Sequence, residues 1–165
     1  MDIIPFNSLD EPVIFQYFEN LLTTGILEHR FPDTVKPSMA DVARCVTEHG
    51  KNMFMIMEEG IPMAEFMLEM YTGQAIQTHF STASYAMPSF KVEMGKEAVK
   101  YLFDWKDEDG KPYFKSLFGF IPVPNKPANK FVKRIGYKKQ GKIPYGMRYL
   151  GNIVDCNIWV ATKEA

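Results

Sequence analysis

The 165-residue sequence has few cysteines, no histidines at the spacing of metal ligands and no long apolar run. Cys45 and Cys156 lie far apart without neighbouring cysteines, which excludes a thiolate metal cluster and favours a reducing compartment. His29, His49 and His79 show no metal-ligand spacing, so we predict that the protein holds no metal. Because no apolar run approaches the roughly 20 residues of a membrane-spanning helix, we also predict no membrane partner.

The composition is that of an ordinary globular protein, with 46% apolar and 24% charged residues. A chain of this length can build one stable core, and it contains no linker or low-complexity tract, so we expect residues 1–165 to form a single domain. The N-terminal segment is acidic and lacks the basic and apolar regions of a secretory signal. Together with the scarce cysteines, this predicts a cytoplasmic protein.

The charges are unevenly distributed along a chain whose formal net charge is only −1. Residues 1–110 contain 18 acidic and 8 basic residues, whereas residues 111–148 contain 10 basic residues and no acidic one. A basic segment of this kind attracts a polyanion, such as a phosphorylated cofactor, a nucleic acid or an acidic protein. The alternative is a solvated face that acidic residues balance once the chain has folded.

Two helices near the N-terminus are marked by the residues at their ends. The first begins near Asp10, where acidic residues and Pro12 suit the free N–H groups and the dipole of a helix, and it ends at Gly25. The second begins at Ser38, with Asp41 three residues later as a variant of the capping box.

The remaining segments predict strands and two more helices. The continuous apolar run at 52–58 is typical of a strand buried on both faces, and we interpret the six methionines between Met53 and Met70 as core residues. We also predict strands at 2–6, 61–70, 74–84, 113–121, 137–145 and 153–162, a helix after a loop at 85–90, and a basic helix at 125–135. The order βααβββαβαββ predicts an α/β protein with helices on the faces of a mixed sheet.

The basic helix and the residue after it carry a recognisable pattern. The matching residues are Asn125, Ala128, Phe131, Gly136 and Tyr137. Their spacing resembles that of the helix after the fifth strand in the GCN5-related N-acetyltransferase (GNAT) superfamily. The chain also resembles this superfamily in the whole order of its helices and strands. Independently of the family, Gly136 permits a left-handed helix end and Asn125 can cap the helix start.

Two later patterns are similar to the GNAT branch that acetylates protein N-termini, including ribosomal ones. They are the Lys-x-x-Gly after the basic helix and the spacing of Gly151, Asp155 and Trp159. The resemblance implies a mixed, mostly antiparallel sheet flanked by helices, and transfer of an acetyl group from acetyl-CoA to an amine. The acceptor would be a small amine or a protein N-terminus, selected by the loop at 28–37 and the last two strands.

The resemblance also implies where acetyl-CoA would bind. Family members hold its phosphates with the pattern (Arg/Gln)-x-x-Gly-x-(Gly/Ala), to which residues 89–98 correspond, and Lys91 and Glu93 stand at the glycine positions. A carboxylate about 4 Å from a phosphate repels it by roughly 1–4 kcal/mol, so we expect binding that is weakened, moved to a loop that uses Gly95, or lost. The candidate cofactor residues are Ser81, Lys91, Met94, Gly95, Lys96, Asn125 and Lys130.

Candidate catalytic residues lie on the predicted central strands. His79 is suited to proton transfer near neutral pH, and Glu65 or Glu69 could act as a general base through water. Val132 stands where many family members have a tyrosine that acts as the general acid and protonates the departing thiolate. Ala128 stands where the branch that acetylates protein N-termini often has a serine.

These departures leave a second hypothesis open. The chain could be a catalytically silent GNAT-like binding or assembly protein of a bacteriophage, of the head-assembly or internal virion type, located in the host cytoplasm or the virion. It would then bind an acidic protein, or itself, through residues 111–148. Nucleic acid is a less favoured partner, because there is no recognition-helix pattern, the pI is about 6.3 and the aromatic residues of this segment are expected in the core.

Overall fold

The computed structural model describes residues 1–163, which contain seven strands and five α-helices. The strands are β1 (Asp2–Pro5), β2 (Met53–Glu58), β3 (Ile61–Thr72), β4 (Ala75–Thr82), β5 (Ser116–Pro122), β6 (Lys138–Tyr149) and β7 (Asn152–Thr162). The helices are α1 (Glu11–Thr23), α2 (Leu27–Arg30), α3 (Met39–His49), α4 (Pro88–Asp104) and α5 (Lys126–Arg134). None of the helices in this part of the chain combines the length and apolarity that crossing a membrane requires.

The strands form one mixed sheet with the order β1-β2-β3-β4-β5-β7-β6. β1 pairs with β2, β2 with β3 and β5 with β7 in antiparallel fashion, whereas β4 and β5 are parallel. Between β2 and β3 the chain turns at Glu59 and Gly60, whose φ angles of 49° and 79° suit a two-residue type I′ turn. A mostly antiparallel mixed sheet with helices confirms the predicted fold class.

The helix ends of α1 and α3 follow the residues that predicted them. Asp10 precedes α1, and a proline occupies its first turn. At the start of α3, the Asp41 carboxylate accepts hydrogen bonds from the Ser38 N–H and hydroxyl, both at 2.8 Å, as part of a capping box.

Both ends of α5 also have the predicted caps. Asn125 Oδ1 accepts a hydrogen bond from Ala128 N at 3.2 Å. At the other end Tyr137 N donates to Val132 O at 3.0 Å, and Gly136 adopts a φ of 105°. This is the Schellman arrangement, in which glycine takes the left-handed position that other residues adopt at a cost.

The structure adds one helix and shifts several of the predicted element boundaries; β6, for example, extends to Tyr149 rather than ending near residue 145. The helix α2 lies within the connection that we expected to be a loop. α4 begins at Pro88, inside the loop expected at 85–90. β5 begins at Ser116 rather than at residue 113, because Tyr113 N donates instead to Trp105 O, across a turn formed around Asp107.

The chain divides into two compact units. Unit 1 comprises Met1–Met67, Phe80–Pro88 and Arg148–Asn152, and unit 2 comprises Leu68–His79, Ser89–Met147 and the chain from Ile153 onward.

The core of unit 1 is built from α1, α2, α3, β2 and β3. Five successive residues of β2 are buried, as the continuous apolar run predicted. The core includes Tyr17, Phe18, Leu21, Leu27, Val42, Met53, Met55, Met57 and Met67. The interpretation of the six clustered methionines as core residues is therefore confirmed for four of them, whereas Met63 is half-buried and Met70 is 62% exposed.

The core of unit 2 lies around α4, α5 and the strands β5 and β7. Its buried residues include Met94, Ala98, Leu102, Leu117, Ile135, Tyr137 and Trp159. The Tyr137 hydroxyl lies 2.8 Å from Thr78 Oγ1, and burial raises the pKa of Tyr137 to about 12.

Candidate functional site

His79 lies on β4 in unit 2, where the Glu69 carboxylate and the Gln77 amide both lie beside its Nε2. Its Nε2 is 2.8 Å from Glu69 Oε2 on β3 and 3.0 Å from the amide of Gln77, two residues earlier on the same strand face. The His79 and Glu69 side chains are each 32% exposed. With the Nε2–H donated to the carboxylate, Nδ1 keeps a lone pair that can take a proton. This arrangement suits a general base.

Gln77 is a polar residue of this cluster that the sequence reasoning missed. Its side chain is buried, and within the described residues its Oε1 has no hydrogen-bond partner. An isolated glutamine on a strand has no sequence signal that would distinguish it from a surface residue.

The parallel ladder between β4 and β5 is short. It joins Ala75–Gln77 to Ser116–Phe118, and Thr78 Oγ1 then reaches Phe118 O at 3.3 Å. The rest of β5, Gly119–Pro122, is paired with β7 but, in the part of the chain that the structure describes, not with β4. The backbone of β5 therefore has a side without a strand partner immediately beyond the ladder.

The first turn of α4 offers groups that suit an anion. Because the helix begins at Pro88, the N–H groups of Ser89, Phe90 and Lys91 have no carbonyl partner one turn earlier in the helix. No acidic residue occupies this turn, where the helix dipole favours negative charge. The Lys91 side chain is partly buried, which lowers its pKa, and it forms no ion pair within residues 1–163.

The structure corrects the form of the expected phosphate loop. Residues 89–98 are helical and belong to α4, so the candidate residues there lie on a helix rather than in a loop. Met94 is fully buried, and its side chain packs in the core. Glu93 and Lys96 are exposed beyond the first turn of the helix.

Gly95 serves as a contact point between two helices of unit 2. A Cβ at this position would lie 2.7 Å from Phe131 Cζ of α5 and 2.7 Å from Cγ2 of Ile135, the residue that caps the C-terminal end of α5. Within the helix, the Gly95 N–H also belongs to the regular i→i−4 hydrogen bonding. This position does not fit the expected phosphate cradle, and the close approach of α5 explains why a glycine stands there.

On α5, the two candidate cofactor residues have different surroundings. Asn125 uses its Oδ1 for the helix cap, while Lys130 is exposed on the following turn.

Asn129 is a second polar residue that the sequence reasoning missed. Its Nδ2 donates to Pro122 O and to Asn125 O, both at 2.8 Å. Its Oδ1 accepts from Asn157 Nδ2 at 2.7 Å and from Trp159 Nε1 at 3.0 Å. Asn129 therefore fixes the start of α5 against the end of β5 and against β7.

Glu65 and Ser81, which were predicted as separate site residues, lie together in the interior of unit 1. Glu65 Oε1 accepts hydrogen bonds from Arg30 Nε at 2.5 Å and from Ser81 Oγ at 2.9 Å, and Tyr17 OH lies 2.8 Å from the same hydroxyl. Glu65 is fully buried and Ser81 is 9% exposed. This placement does not fit the prediction of Glu65 as a base or of Ser81 as a cofactor contact, because both are already engaged in a buried network.

The basic segment at 111–148 keeps most of its charge uncompensated. Of its ten basic residues, only Lys111 and Lys142 form ion pairs within the described chain, with Asp109 at 3.7 Å and Asp155 at 2.7 Å. A hydrogen bond from Lys142 and another from the Tyr145 N–H lower the pKa of Asp155. The helical spacing of α5 places three exposed lysines on one face: Lys126, Lys130 and Lys133.

No group of three or more His, Cys, Asp or Glu side chains within residues 1–163 is arranged to hold a metal ion. The two groups that suit contact with a ligand are the first turn of α4 and the polar cluster at His79.

Solved structures with a similar fold include several acetyltransferases. A GNAT-family acetyltransferase from Bacillus anthracis has a TM-score of 0.71 at 16% identity, over 97% of this chain and 93% of that chain. A chimera of spermidine N-acetyltransferase SpeG from Vibrio cholerae and hSSAT has a TM-score of 0.71 at 12% identity, over 98% and 96%. The ribosomal L7/L12 alpha-N-protein acetyltransferase RimL in complex with coenzyme A also has a TM-score of 0.71 at 12% identity, over 98% of both chains. The sequence itself matches no family model and no curated protein. The chain therefore has the fold of the GNAT N-acetyltransferases.

Proposed function

We propose that the protein is an N-acyltransferase that moves an acetyl group from acetyl-CoA to an amine. The observation that supports this proposal is the first turn of α4 on a GNAT fold, where N–H groups without a helical carbonyl partner lie beside Lys91, a lysine with no ion pair within residues 1–163. The site differs from the glycine-rich pattern of the family, but its donors have the same chemistry.

The donors of this turn fit the diphosphate of coenzyme A. The N–H groups of Ser89, Phe90 and Lys91, with the Lys91 ammonium, would hold the phosphate oxygens, and Asn125 Nδ2 and Lys130 would supply further contacts from α5. Acetyl-CoA, when bound, supplies the activated acyl group as a thioester. Because Glu93 lies beyond the first turn, it does not occupy the anion site as the sequence pattern suggested.

His79 is the proposed general base. As the amine nitrogen forms the new C–N bond, Nδ1 would take the proton that it loses; the C–S bond of the thioester would break, and coenzyme A would leave as the thiolate, to which that proton can return. Glu69 would hold the ring by accepting the Nε2–H. A positioned base of this kind contributes about 10²- to 10⁴-fold to the rate. Glu69 acts through His79 and is therefore a positioning residue.

The test is acetyl transfer to a panel of amines, with the N-acetyl product identified by mass so that thioester hydrolysis is not counted. His79→Asn is expected to lower kcat about 10²- to 10⁴-fold, and Glu69→Gln should lower it by a smaller factor. His49→Asn is the matched control, since His49 is similarly exposed but lies at the end of α3. No product from any amine, or an unchanged kcat in His79→Asn, would contradict the proposal.

A second candidate function is supported by the basic face of α5. Its exposed lysines have no acidic partner within the described residues, which favours binding of an acidic protein by a catalytically silent relative. In that case coenzyme A would not bind, and the charges of α5 would instead govern a salt-sensitive complex.

A further inference from the structure

The end of β3 that carries Glu69 extends beyond its pairing with β2. The last pair between these two strands joins Met53 to Met67, so the register with β2 ends two residues before Glu69. The Glu69 carboxylate nevertheless lies 2.8 Å from the imidazole of His79. Its position therefore depends on what holds the last residues of β3.

The register between β3 and β4 requires one extra residue in β3. Gly73 has a φ of 61° and takes the first position of a two-residue loop, as in a type II′ turn, which places Thr72 opposite Ala75. Towards the other end of the hairpin, Ala83 N donates to Met63 O at 2.8 Å. Nine residue steps on β3 (63 to 72) therefore lie opposite eight on the following strand (75 to 83).

Met70 is the position of this extra residue. Its φ of 42° is the only positive one among the described residues 61–72, and a residue that adds one step to a strand forms a β-bulge. Because side chains alternate along a strand, the bulge sends Glu69 and Tyr71 to opposite faces of the sheet, although they are two residues apart. Glu69 lies on the face of His79, and Tyr71 lies on the other face.

Tyr71 attaches this end of β3 to the segment that precedes β5. Its ring centroid lies 6.0 Å from that of Tyr113 and 6.2 Å from that of Phe114, which is 2% exposed. Aromatic pairs at such distances attract each other beyond the effect of burial alone. The adjoining turn is attached to the same segment, since Gln74 O accepts a hydrogen bond from Lys115 N at 2.8 Å. The extension of β3 is therefore fixed at its far end as well.

We propose that Tyr71 is a positioning residue for the acetyl transfer: its ring contacts fix the end of β3, so that Glu69 holds the imidazole of His79 in the orientation that proton transfer needs. This inference rests on the proposed function. Because Tyr71 lies on the face of the sheet opposite His79, it acts through Glu69 rather than by contact with the reacting groups. The bulge at Met70 lets one strand end make both contacts.

The first test is the kcat of acetyl transfer to the best amine of the panel. Tyr71→Ala is expected to lower kcat about three- to tenfold, as Glu69→Gln does, with the KM values for acetyl-CoA and the amine unchanged. Combined with Glu69→Gln it should cause no further loss, because both changes remove the same support of His79. Tyr71→Phe keeps the ring and should restore kcat. Tyr145→Ala, at an 80% exposed tyrosine of β6, is the matched control.

The second test does not depend on activity. An imidazole N–H that a carboxylate holds exchanges slowly with water and gives a proton magnetic resonance at low field, which His79→Asn identifies by its loss. Tyr71→Ala and Met70→Val should weaken or remove this resonance. The valine acts because a β-branched residue disfavours the left-handed backbone of the bulge. Tyr71→Phe should keep the resonance.

An unchanged resonance and an unchanged kcat in Tyr71→Ala would overturn the inference and leave the acetyl transfer intact. Losses of kcat that multiply in the double variant, or the absence of the resonance from the wild type, would also overturn it. If no amine is acetylated while the resonance responds as expected, the proposed function fails, and with it the role of Tyr71 in the reaction, but not its effect on the ring.

Discussion

Arg30 and Glu65 form an ion pair that is almost completely closed to solvent, with Arg30 Nε 2.5 Å from Glu65 Oε1. The Arg30 side chain is 6% exposed and that of Glu65 is 0% exposed. Burial alone works against the charged guanidinium, but the attraction of Glu65 outweighs it and raises the pKa of Arg30. The pair attaches α2 to β3 within unit 1.

Removing one partner of this pair should be strongly destabilising. We expect Glu65→Leu to lower the free energy of unfolding by about 3–5 kcal/mol, because it leaves a buried guanidinium without its counter-charge. The double variant Arg30→Met/Glu65→Leu should recover much of that loss, since it removes both charges. Urea denaturation followed by circular dichroism measures both effects.

The control for this series is Arg44→Met, whose partner Asp41 is on the surface of α3. Because Arg44 is 65% exposed, its loss should change the free energy of unfolding by less than about 1 kcal/mol. A double variant that is no more stable than Glu65→Leu would show that the guanidinium is not buried as the structure has it.

This pair also shows why the sequence predicted only part of the molecule. The sequence predicted the ends of α3 and α5 because the capping residues act on backbone groups within four residues of themselves. These capping residues are Ser38, Asp41, Asn125 and Gly136. Arg30 and Glu65 are 35 positions apart, and nothing local in either segment indicates that the fold brings them together.

Gly95 provides a test of the contact between α4 and α5. In a helix interior, a change from glycine to alanine normally stabilises by about 1 kcal/mol. Here the added Cβ meets Ile135 and Phe131 at 2.7 Å, so we expect Gly95→Ala to lower the free energy of unfolding by roughly 1–2 kcal/mol. The difference between the denaturant midpoints of the variant and the wild type gives this value, provided that the free energy of unfolding depends on denaturant concentration with the same slope in both.

The loss should shrink when the opposing side chain is shortened. In the Ile135→Ala background, Gly95→Ala is expected to lower the free energy of unfolding by less, or to raise it, because the shorter side chain at 135 leaves room for the new Cβ at 95. A stabilisation by Gly95→Ala in the otherwise unchanged protein would mean that α5 lies further from α4.

The same contact explains why the candidate site was only partly predictable. The resemblance placed the phosphate loop at residues 89–98, with Gly95 as the glycine that a shifted loop would use. In the structure, Gly95 is instead a packing glycine inside a helix that begins at Pro88. Lys91 and His79 could be named as candidates from the sequence because their side chains can themselves bind an anion or transfer a proton. Gln77 and Asn129 were missed because only their surroundings in the fold distinguish them from ordinary polar residues.

Tyr137 should make the stability of the protein sensitive to alkaline pH. Its pKa is about 12 in the folded state, mainly because of burial, against about 10 for an unfolded tyrosine. The folded state therefore holds the phenolic proton more tightly, so the stabilisation is complete below pH 10 and is lost as the pH rises through about 12. The two-unit difference corresponds to roughly 2–3 kcal/mol.

Tyr137→Phe isolates this contribution. At pH 8 it should lower the free energy of unfolding by about 1 kcal/mol through loss of the bond to Thr78. Between pH 10 and 12 the difference between wild type and variant should narrow or reverse, because only the wild type loses stability by ionising this residue. A difference in the free energy of unfolding between wild type and variant that stays constant from pH 8 to pH 12 would contradict the burial of the hydroxyl.

The proposed anion site at the start of α4 predicts that removing the charge of one lysine of that helix weakens the binding of coenzyme A, and that removing the charge of another does not. Lys91 lies in the first turn, whereas Lys100 is exposed in the C-terminal half of the same helix. Loss of a charged hydrogen bond to phosphate weakens binding by about 10- to 100-fold, so Lys91→Gln should bind coenzyme A more weakly by that factor. Lys100→Gln should bind it as the wild type does.

Calorimetric titration of the wild type, Lys91→Gln and Lys100→Gln with coenzyme A tests the central claim most directly. The account predicts saturable binding to the wild type and to Lys100→Gln, with a clearly weaker affinity for Lys91→Gln. Neither heat nor a thermal shift at millimolar coenzyme A, or equal affinity in all three proteins, would contradict it.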